Sequence, residues 1–280
     1  MKIKALVENT SINAELGSEH GLSIYIETQG KTVLFDTGAS SLFAENAKKM
    51  GVDLQKIDLV FLSHGHYDHA GGLPTFLEIN KDAPIYLRNS AFGDYYSERD
   101  GGAYEYIGID KHLLTSNRIV FTPEHMSLGK GLSLYSQVQG NRFFPTGNAS
   151  LFKKTEEGLV RDDFTHEQNL VIEEGEVSLL VSGCSHRGIV NIVDKFFELY
   201  GHYPTHVIGG FHLYNHRTGK PESRETLEKI SEALLATGAM YHTCHCTGEA
   251  NYEMLRTLMG EKIAYLSGGT CLDIETKEKN

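Results

Sequence analysis

Four residues with metal-binding side chains lie close together directly after an apolar run. Residues 57–62 form the run, which has the length of a buried β-strand and leads into His64, His66, Asp68 and His69. Side chains two positions apart on an extended chain project to the same side, so His64 and His66 can bind one ion. Asp68 and His69 follow as the chain turns, and we expect them to face a second ion. Imidazole and carboxylate together suit Zn²⁺, Fe²⁺ or Mn²⁺.

A polar surface loop is the competing interpretation of this segment. A single histidine would favour that interpretation, but four potential ligands within six residues at the end of a strand favour a metal site. Gly65, Gly71 and Gly72 permit the tight backbone path that the ligands require, and Pro74 suits the first turn of a helix. The sequence therefore predicts a metal-binding loop between a strand and a helix.

The pattern His-x-His-x-Asp-His at residues 64–69 resembles the signature of the metallo-β-lactamase superfamily. Residues 34–38, with Asp36 after a predicted hairpin strand, resemble the first motif of that superfamily, which supports the metal loop. The resemblance implies an α+β fold, a four-layer αβ/βα sandwich with two metals at one edge. More narrowly, four segments resemble one branch of the superfamily: residues 19–23, 183–191, 209–213 and 245–248. That branch is labelled 7,8-dihydropterin-6-yl-methyl-4-(β-D-ribofuranosyl)aminobenzene 5′-phosphate synthase.

The C-terminal half must supply the remaining ligands of a two-metal site. His186 and His245 each follow a predicted strand, and both are predicted ligands; a helix-capping role is the alternative for His186. Cys184 stands where the superfamily commonly places a metal-bridging Asp, and both a bridging thiolate and a small buried core cysteine are open. His166 lies near the expected central histidine motif without its Gly-His pattern, so we predict that it is not a ligand.

Catalytic and substrate-binding candidates surround the predicted ligands. Asp68 and His212 are the catalytic candidates, and a buried structural histidine is the alternative for His212. His20, Arg187 and Asn191 are candidates for substrate contact, the last two because a helix N-terminus after His186 favours a phosphate. Tyr95, Tyr96 and Arg99 are further candidates from a long irregular segment. The other histidines belong to no cluster in the sequence: His112, His125, His202, His206, His216 and His242.

The pattern of apolar residues predicts one domain spanning residues 1–280, with an insertion at about 91–131 that serves as a lid or substrate-binding surface. The strands are predicted at residues 2–7, 22–28, 32–35, 57–62, 84–88, 177–182, 205–208, 239–241 and 263–266. The helices are predicted at residues 40–50, 189–200, 222–236 and 249–259.

Charge and composition limit the partners that such a chain binds. The net charge of −11 without a Lys/Arg cluster disfavours nucleic acid and anionic membranes, although a metal pair attracts a small anionic substrate. No apolar run approaches the roughly 20 residues of a membrane span. The N-terminus resembles a strand rather than a signal peptide, and the four cysteines are expected to be reduced thiols. We expect a cytoplasmic protein, and its oligomeric state stays open.

Three function classes fit these observations. The first is a hydrolase with two divalent ions, Zn most favoured and Fe or Mn possible, acting on a small phosphorylated or otherwise anionic substrate through a metal-bound hydroxide. The second is a synthase of the type that the branch label names. The third is a metal-bound sensor or redox module without catalytic activity. The motifs specify metals rather than a substrate, and we therefore rank the hydrolase first.

Overall fold

A computed structural model describes residues 1–215 and 217–277, so His216 lies outside the described residues. Most of the strands belong to two seven-stranded sheets. The first sheet contains β1 (Lys2–Val7), β2 (Ser23–Thr28), β3 (Lys31–Phe35), β4 (Leu59–Phe61), β5 (Ile85–Leu87), β8 (Ile119–Phe121) and β20 (Cys271–Asp273). The second contains β9 (His125–Gly129), β10 (Leu132–Ser136), β13 (Gln168–Glu174), β14 (Val177–Val181), β15 (His206–Gly210), β18 (Met240–Cys244) and β19 (Ile263–Tyr265).

Smaller elements complete the described chain. A four-stranded sheet contains β6 (Tyr95–Glu98), β7 (Tyr104–Tyr106), β11 (Leu151–Thr155) and β12 (Gly158–Arg161), and β16 (Tyr214–Asn215) pairs with β17 (Lys220–Pro221). The helices are α1 (Leu42–Lys49), α2 (Tyr67–Ala70), α3 (Leu73–Ile79), α4 (Ile189–Tyr200), α5 (Arg224–Leu235) and α6 (Glu249–Met259). Short 3₁₀ turns occur at Leu54–Lys56, Asn89–Phe92, Asp100–Gly102, Lys111–Thr115, Thr146–Ser150, His245–Thr247 and Gly260–Lys262.

Each large sheet is antiparallel in one half and parallel in the other. The first runs β20-β1-β2-β3-β4-β5-β8, and its pairs from β3 to β8 are parallel. The second runs β19-β18-β15-β14-β13-β10-β9, and its pairs from β14 to β19 are parallel. Parallel strands need crossover connections, and the helices α1, α3, α4, α5 and α6 lie in these connections.

Alternation of buried side chains assigns the two faces of the first sheet. Val33 and Phe35 belong to the core that also contains inward residues of the second sheet, whereas Leu34 belongs to a different core. That outer core contains Phe43 of α1 and Phe76 of α3. Successive strand residues face opposite sides of a sheet, so the first sheet packs against the second sheet on one face and against helices on the other.

The second sheet follows the same rule. Leu179 and Val181 of β14 face the core between the sheets, and Leu180 faces a core with Phe196 of α4 and Leu227 of α5. The layers are therefore helix, sheet, sheet and helix. This is the α+β sandwich that the resemblance predicts, and that prediction is confirmed.

Residues 91–131 do not form one structural unit. Residues 95–106 supply two strands of the four-stranded sheet, while 119–121 and 125–129 join the edges of the two large sheets. The role of this segment as a lid or substrate-binding surface stays a prediction. The interpretation of residues 1–280 as one domain stays a prediction as well. Among the described residues, no helix has both the length and the apolar composition to cross a membrane.

Candidate metal centre

The parallel strands bring the predicted ligands to one edge of the sandwich. His64 follows β4, Cys184 and His186 follow β14, and His245 follows β18. Since the carboxyl ends of neighbouring parallel strands lie side by side, residues that are far apart in sequence meet there. His212, which follows β15, lies in the same place, with its ring centroid 4.2 Å from that of His186.

One group of donor atoms is built around His64. The Nε2 atom of His64 lies 3.1 Å from the Nδ1 atom of His66. His64 Nδ1 donates to Ser63 Oγ at 2.8 Å, because that hydroxyl gives its own proton to Asp36 Oδ2. His64 Nε2 is therefore the unprotonated nitrogen, and it faces His66. The donor atoms of His64, Cys184 and His186 lie within 4.8 Å of one another.

His186 is oriented by an amide side chain. Its Nδ1 donates to Asn148 Oδ1 at 3.0 Å, while Asn148 Nδ2 donates to the carbonyl of His186 at 2.7 Å. The Nε2 atom of His186 is buried and has no hydrogen-bond partner among residues 1–215 and 217–277. An uncompensated buried nitrogen is costly unless it has a ligand, and a metal ion would satisfy it.

A second group of donor atoms lies beside the first. It contains Asp68, His69, Cys184 and His245, whose donor atoms all lie within 4.8 Å of one another. His69 donates from Nδ1 to Asp36 Oδ2 at 2.7 Å, and its Nε2 lies 3.1 Å from Cys184 Sγ. Cys184 is thus common to both groups, which fits a shared ligand between two ions.

His245 has the same arrangement as the other imidazoles of the second group. Its Nδ1 donates to Asn9 Oδ1 at 2.7 Å, and its Nε2 lies 3.2 Å from Asp68 Oδ2. An outer acceptor on one nitrogen fixes the tautomer and directs the other nitrogen inward, as is usual for metal-binding histidines. The donor set therefore fits two divalent ions, although the identity and number of ions stay proposals.

Burial keeps several of these histidines neutral, the form that binds metal. It lowers the pKa of His64 and His186 well below the usual range, and it lowers that of His245 to about 3. His69 differs, since the carboxylates of Asp36 and Asp68 outweigh burial and raise its pKa.

The Cys184 thiol responds to burial in the opposite sense. Burial, followed by the neighbouring Cys246, raises the pKa of Cys184 well above its usual range. A bound cation has the reverse effect, since a coordinating thiol loses its proton. In the bridging role, Cys184 would therefore take up metal with release of a proton.

Both nitrogens of His166 are used inside the protein. Its Nδ1 accepts from the Gly65 N–H at 2.9 Å, and its Nε2 donates to Asp162 Oδ2 at 3.0 Å. Asp162 Oδ2 also lies 3.8 Å from His66 Nε2, so the donor atoms of His66, Asp162 and His166 form a third compact group. In this arrangement His166 positions Asp162 behind His66, and that His166 is not a ligand stays a prediction.

Comparison with known proteins places this centre in a family. The sequence model of the metallo-beta-lactamase superfamily matches residues 16–126. A relative from Methanocaldococcus jannaschii, named 7,8-dihydropterin-6-methyl-4-(beta-D-ribofuranosyl)-aminobenzene-5′-phosphate synthase, is 31% identical over 268 residues, which cover 89% of this chain and 88% of the relative. The chain belongs to the metallo-beta-lactamase superfamily. The resemblance seen at residues 64–69 and in the branch segments is thereby confirmed.

Solved structures agree with this family. A crystal structure of a metal-dependent hydrolase of the beta-lactamase superfamily is 34% identical, with a TM-score of 0.82, and the match covers 98% of this chain and 99% of the other. The Zn²⁺-bound PqqB from Methylobacterium extorquens has a TM-score of 0.59 at 13% identity, with 98% and 100% of the two chains covered. The second likeness shows the fold alone.

A cavity of about 270 Å³ lies next to the two groups of candidate metal ligands. His20 and His212 line it, and His20 Nε2 lies 3.3 Å from Asp68 Oδ2. The four-stranded sheet supplies the opposite wall through Ser97 and Leu151. His20 and His212 are thus placed where a substrate would meet the metals.

Arg187 and Asn191, the other predicted substrate contacts, do not line this cavity. Arg187 Nε donates to the carbonyl of Val138 at 2.9 Å, and Asn191 Nδ2 donates to the carbonyl of Arg142 at 2.9 Å. Both side chains hold the segment before β11 and are engaged there without a ligand.

A buried carboxylate accepts from two backbone N–H groups that lie just before α4. Glu167 Oε1 accepts from the N–H of His186 at 2.6 Å, and its Oε2 accepts from the N–H of Arg187 at 3.0 Å. Glu167 is almost fully buried. The backbone N–H groups of His186 and Arg187 therefore already have a hydrogen-bond acceptor in this side chain.

The ligand loops adopt backbone conformations that cost energy. Asp36, Ser185, His212 and His245 have positive φ angles between 51° and 59°, a region that residues other than glycine seldom adopt. Such strain concentrates at functional sites because the surrounding structure holds the backbone in place.

Sequence analysis missed the outer partners of the ligands. Asn9, Asn148, Asp162 and Glu167 are isolated polar residues in the sequence, and no local spacing distinguishes them from surface residues. Only Asn9 lies near a predicted strand, the one at residues 2–7. Cys246 is not among the predicted site residues, yet it lies beside Cys184 in the cavity wall.

Proposed function

We propose that this superfamily member is a two-metal enzyme acting on a small phosphorylated molecule. The observation that supports it most is the convergence of inward nitrogens whose outer nitrogens are already hydrogen-bonded. One ion would be held by His64 and His186, with His66 Nδ1 at 3.1 Å from His64 Nε2 as a further ligand. The other would be held by Asp68, His69 and His245, with Cys184 shared.

The donor set favours zinc. Imidazole, carboxylate and thiolate together suit Zn²⁺, and Fe²⁺ or Mn²⁺ is the alternative. When bound, two such ions would lower the pKa of a water and polarise the bond that is broken. His212 lines the same cavity as Asp68 and is our candidate for proton donation to a leaving group.

The substrate class follows from the cavity wall. Among the described residues that line the cavity, Arg99 is the only Lys or Arg, and it pairs with Glu105 at 2.6 Å. A guanidinium matches phosphate geometry, and the relative from M. jannaschii is named for a 5′-phosphate product. Arg99, with His20, is therefore proposed to contact the phosphate.

Two reaction classes are compatible with this centre. The named relative favours a synthase, because its identity extends over most of both chains, and we now place this class first. Hydrolysis stays the second candidate, since the solved structure with 34% identity is described as a metal-dependent hydrolase. Both classes place an activated group next to the metals and a phosphate at Arg99.

Metal analysis tests the centre itself. The purified protein should contain two ions per chain by elemental mass spectrometry, and His66→Ala should lose a large share of them. His125→Ala is the matched control, since His125 lies at an exposed sheet edge. Equal metal content in wild type and His66→Ala would refute the assignment.

Product analysis separates the two reaction classes. The Zn²⁺- and Mn²⁺-loaded protein is incubated with 4-(β-D-ribofuranosyl)aminobenzene 5′-phosphate and a 7,8-dihydropterin with a leaving group on its 6-methyl carbon. A joined product supports the synthase, and release of phosphate or alcohol from a panel of phosphoesters supports the hydrolase. If a fully metal-loaded protein gives neither the joined product nor a hydrolysis product, an enzymatic role on these substrates is contradicted.

A further inference from the structure

Two cysteine sulfurs lie together at the edge of the proposed centre. The Sγ atoms of Cys184 and Cys246 lie within 4.8 Å of each other, and Cys246 Sγ donates to the carbonyl of Cys184 at 3.5 Å. The two residues come from different strand ends, after β14 and β18, so the fold rather than the local sequence pairs them.

Gly210 leaves the space that the Cys246 sulfur occupies next to Cys184. A side chain on Gly210 would place its Cβ 2.5 Å from Cys246 Sγ, so the absence of one leaves room for the sulfur. Both cysteines are almost fully buried, and both line the cavity beside the metals. A molecule of the size of water or hydrogen peroxide that enters the cavity meets both sulfurs.

The other cysteines offer no such pair. Cys244 belongs to the apolar core between the sheets, and Cys271 lies exposed on an edge strand. Neither of them belongs to a group of converging donor atoms in the described part of the chain. Of the four thiols, only Cys184 and Cys246 combine proximity with access from the cavity.

We propose that Cys184 and Cys246 form an oxidative modification site, a dithiol that hydrogen peroxide converts to a disulfide when the metals are absent. One sulfur attacks a peroxide oxygen, the O–O bond breaks, and a sulfenic acid and one water form. The second sulfur then attacks the sulfenic sulfur, the S–S bond forms, the S–O bond breaks, and the hydroxide leaves as water. The two sulfurs lose two electrons, and the peroxide gains them.

The disulfide and the proposed centre exclude each other. This inference rests on the proposed function in one respect, the use of Cys184 as the shared ligand. A metal-bound Cys184 cannot join Cys246, and a disulfide removes the thiolate that both ions share. Metal occupancy therefore protects the pair, and oxidation prevents metal binding until a thiol reductant restores both sulfurs.

Peptide mapping and thiol counting test the proposal. The protein is treated with hydrogen peroxide with its metals present or after addition of a chelator, then denatured, alkylated and digested. With chelator, the free thiols should fall from four to two, and a peptide linking Cys184 to Cys246 should appear. Dithiothreitol should reverse both changes and restore the ions bound per chain.

Variants separate this pair from other oxidation. Cys244→Ser should keep the linked peptide, and Cys246→Ser should abolish it without changing the protein's melting temperature by more than a few degrees. If Cys246→Ser fails to fold, the wild-type peptide map still decides. Four thiols remaining after oxidation with chelator, or linkage between other cysteines, would overturn the proposal. Equal disulfide yield with and without metal would overturn the coupling while leaving a two-ion centre intact.

Discussion

At the scale of single residues, the proposed centre depends on outer hydrogen bonds as much as on its ligands. Asp36 accepts from the Ser63 backbone N–H, the Ser63 hydroxyl and His69 Nδ1. An amide in its place would present a donor to at least one of these groups and disturb the tautomer of His69. The ligand imidazoles would then lose the orientation that directs their second nitrogen inward.

We therefore expect Asp36→Asn to weaken metal binding by about 10–100-fold, the range typical of such outer partners. Competition with a chromophoric chelator measures the affinity. Asp58→Asn is the control, because Asp58 also accepts from a backbone N–H and a hydroxyl, both of Thr32, but lies far along the sheet. Equal loss in both variants would indicate a general effect on stability rather than on the ligands.

Cys184 allows a test of the two interpretations that its sequence context left open. If its thiolate is shared by two ions, Cys184→Ala should bind fewer ions per chain, and Cys184→Asp should recover them, because a carboxylate can bridge. A buried core cysteine would give the opposite order, since alanine is tolerated in a core better than a buried charge. Elemental analysis after gel filtration distinguishes these results.

Residue types in local patterns were predictable, and pairings across the fold were not. His64, His66, Asp68 and His69 stand together in the sequence, so their spacing predicted a loop of ligands. Asn148 lies in the 3₁₀ turn before β11 and Asp162 directly follows β12, and both reach the site only through the packing of elements that are distant in sequence. Arg187 shows the converse, since the helix start after His186 predicts a phosphate contact, whereas the Arg187 side chain donates to the carbonyls of Val138 and Gly140.

At the scale of elements, the long helices and nine strands of the large sheets were predicted, whereas five strands of those sheets were missed: β8, β9, β10, β13 and β20. Predicted strands at 2–7 and 177–182 match β1 and β14 within one residue, and the helix at 189–200 coincides with α4. The four-stranded sheet was missed because its strands are short and largely exposed, as β7 illustrates with three exposed residues. Such strands lack the alternation that identifies a half-buried sheet.

The metal loop lies against the 3₁₀ turn Asn89–Phe92 with no space between the two backbones. A Cβ on Gly65 would lie 2.3 Å from the carbonyl oxygen of Ala91. We expect Gly65→Ala to push the loop away from this turn and to lower metal affinity together with the melting temperature. Gly51→Ala is the comparison, because its φ of 69° imposes strain without a contact within 4 Å. If both variants keep full metal content, the close approach does not position the ligands.

At the scale of the whole molecule, the sandwich determines which residues meet. The parallel halves of both sheets end at one edge, and the loops after β3, β4, β14, β15 and β18 therefore surround a single centre. The sequence indicates strands followed by candidate ligands, but not the order in which the strands pair. Family resemblance supplied the layers and the position of the metals at one edge, and the strand order is known from the structure.

The response of the fold to acid offers a further prediction, carried by a histidine away from the centre. Burial, with His206 as the second cause, lowers the pKa of His242 to about 4. Between the ordinary value near 6.5 and about 4, the unfolded chain binds a proton that the folded protein excludes, so stability falls as pH falls through this window. Above the window, His242 is neutral in both states and contributes nothing to the pH dependence.

We therefore expect His242→Gln to lose less stability than wild type on acidification. Between neutral pH and about pH 5 the difference should be about 2 kcal/mol, from the 1.36 kcal/mol that each pKa unit represents. Urea unfolding at both pH values with a chelator present measures it, and the metal-site histidines, common to both proteins, cancel in the difference. His125→Gln, at an exposed edge, should behave like wild type. Parallel losses in wild type and His242→Gln would mean that His242 takes up its proton in the folded state as readily as in the unfolded chain.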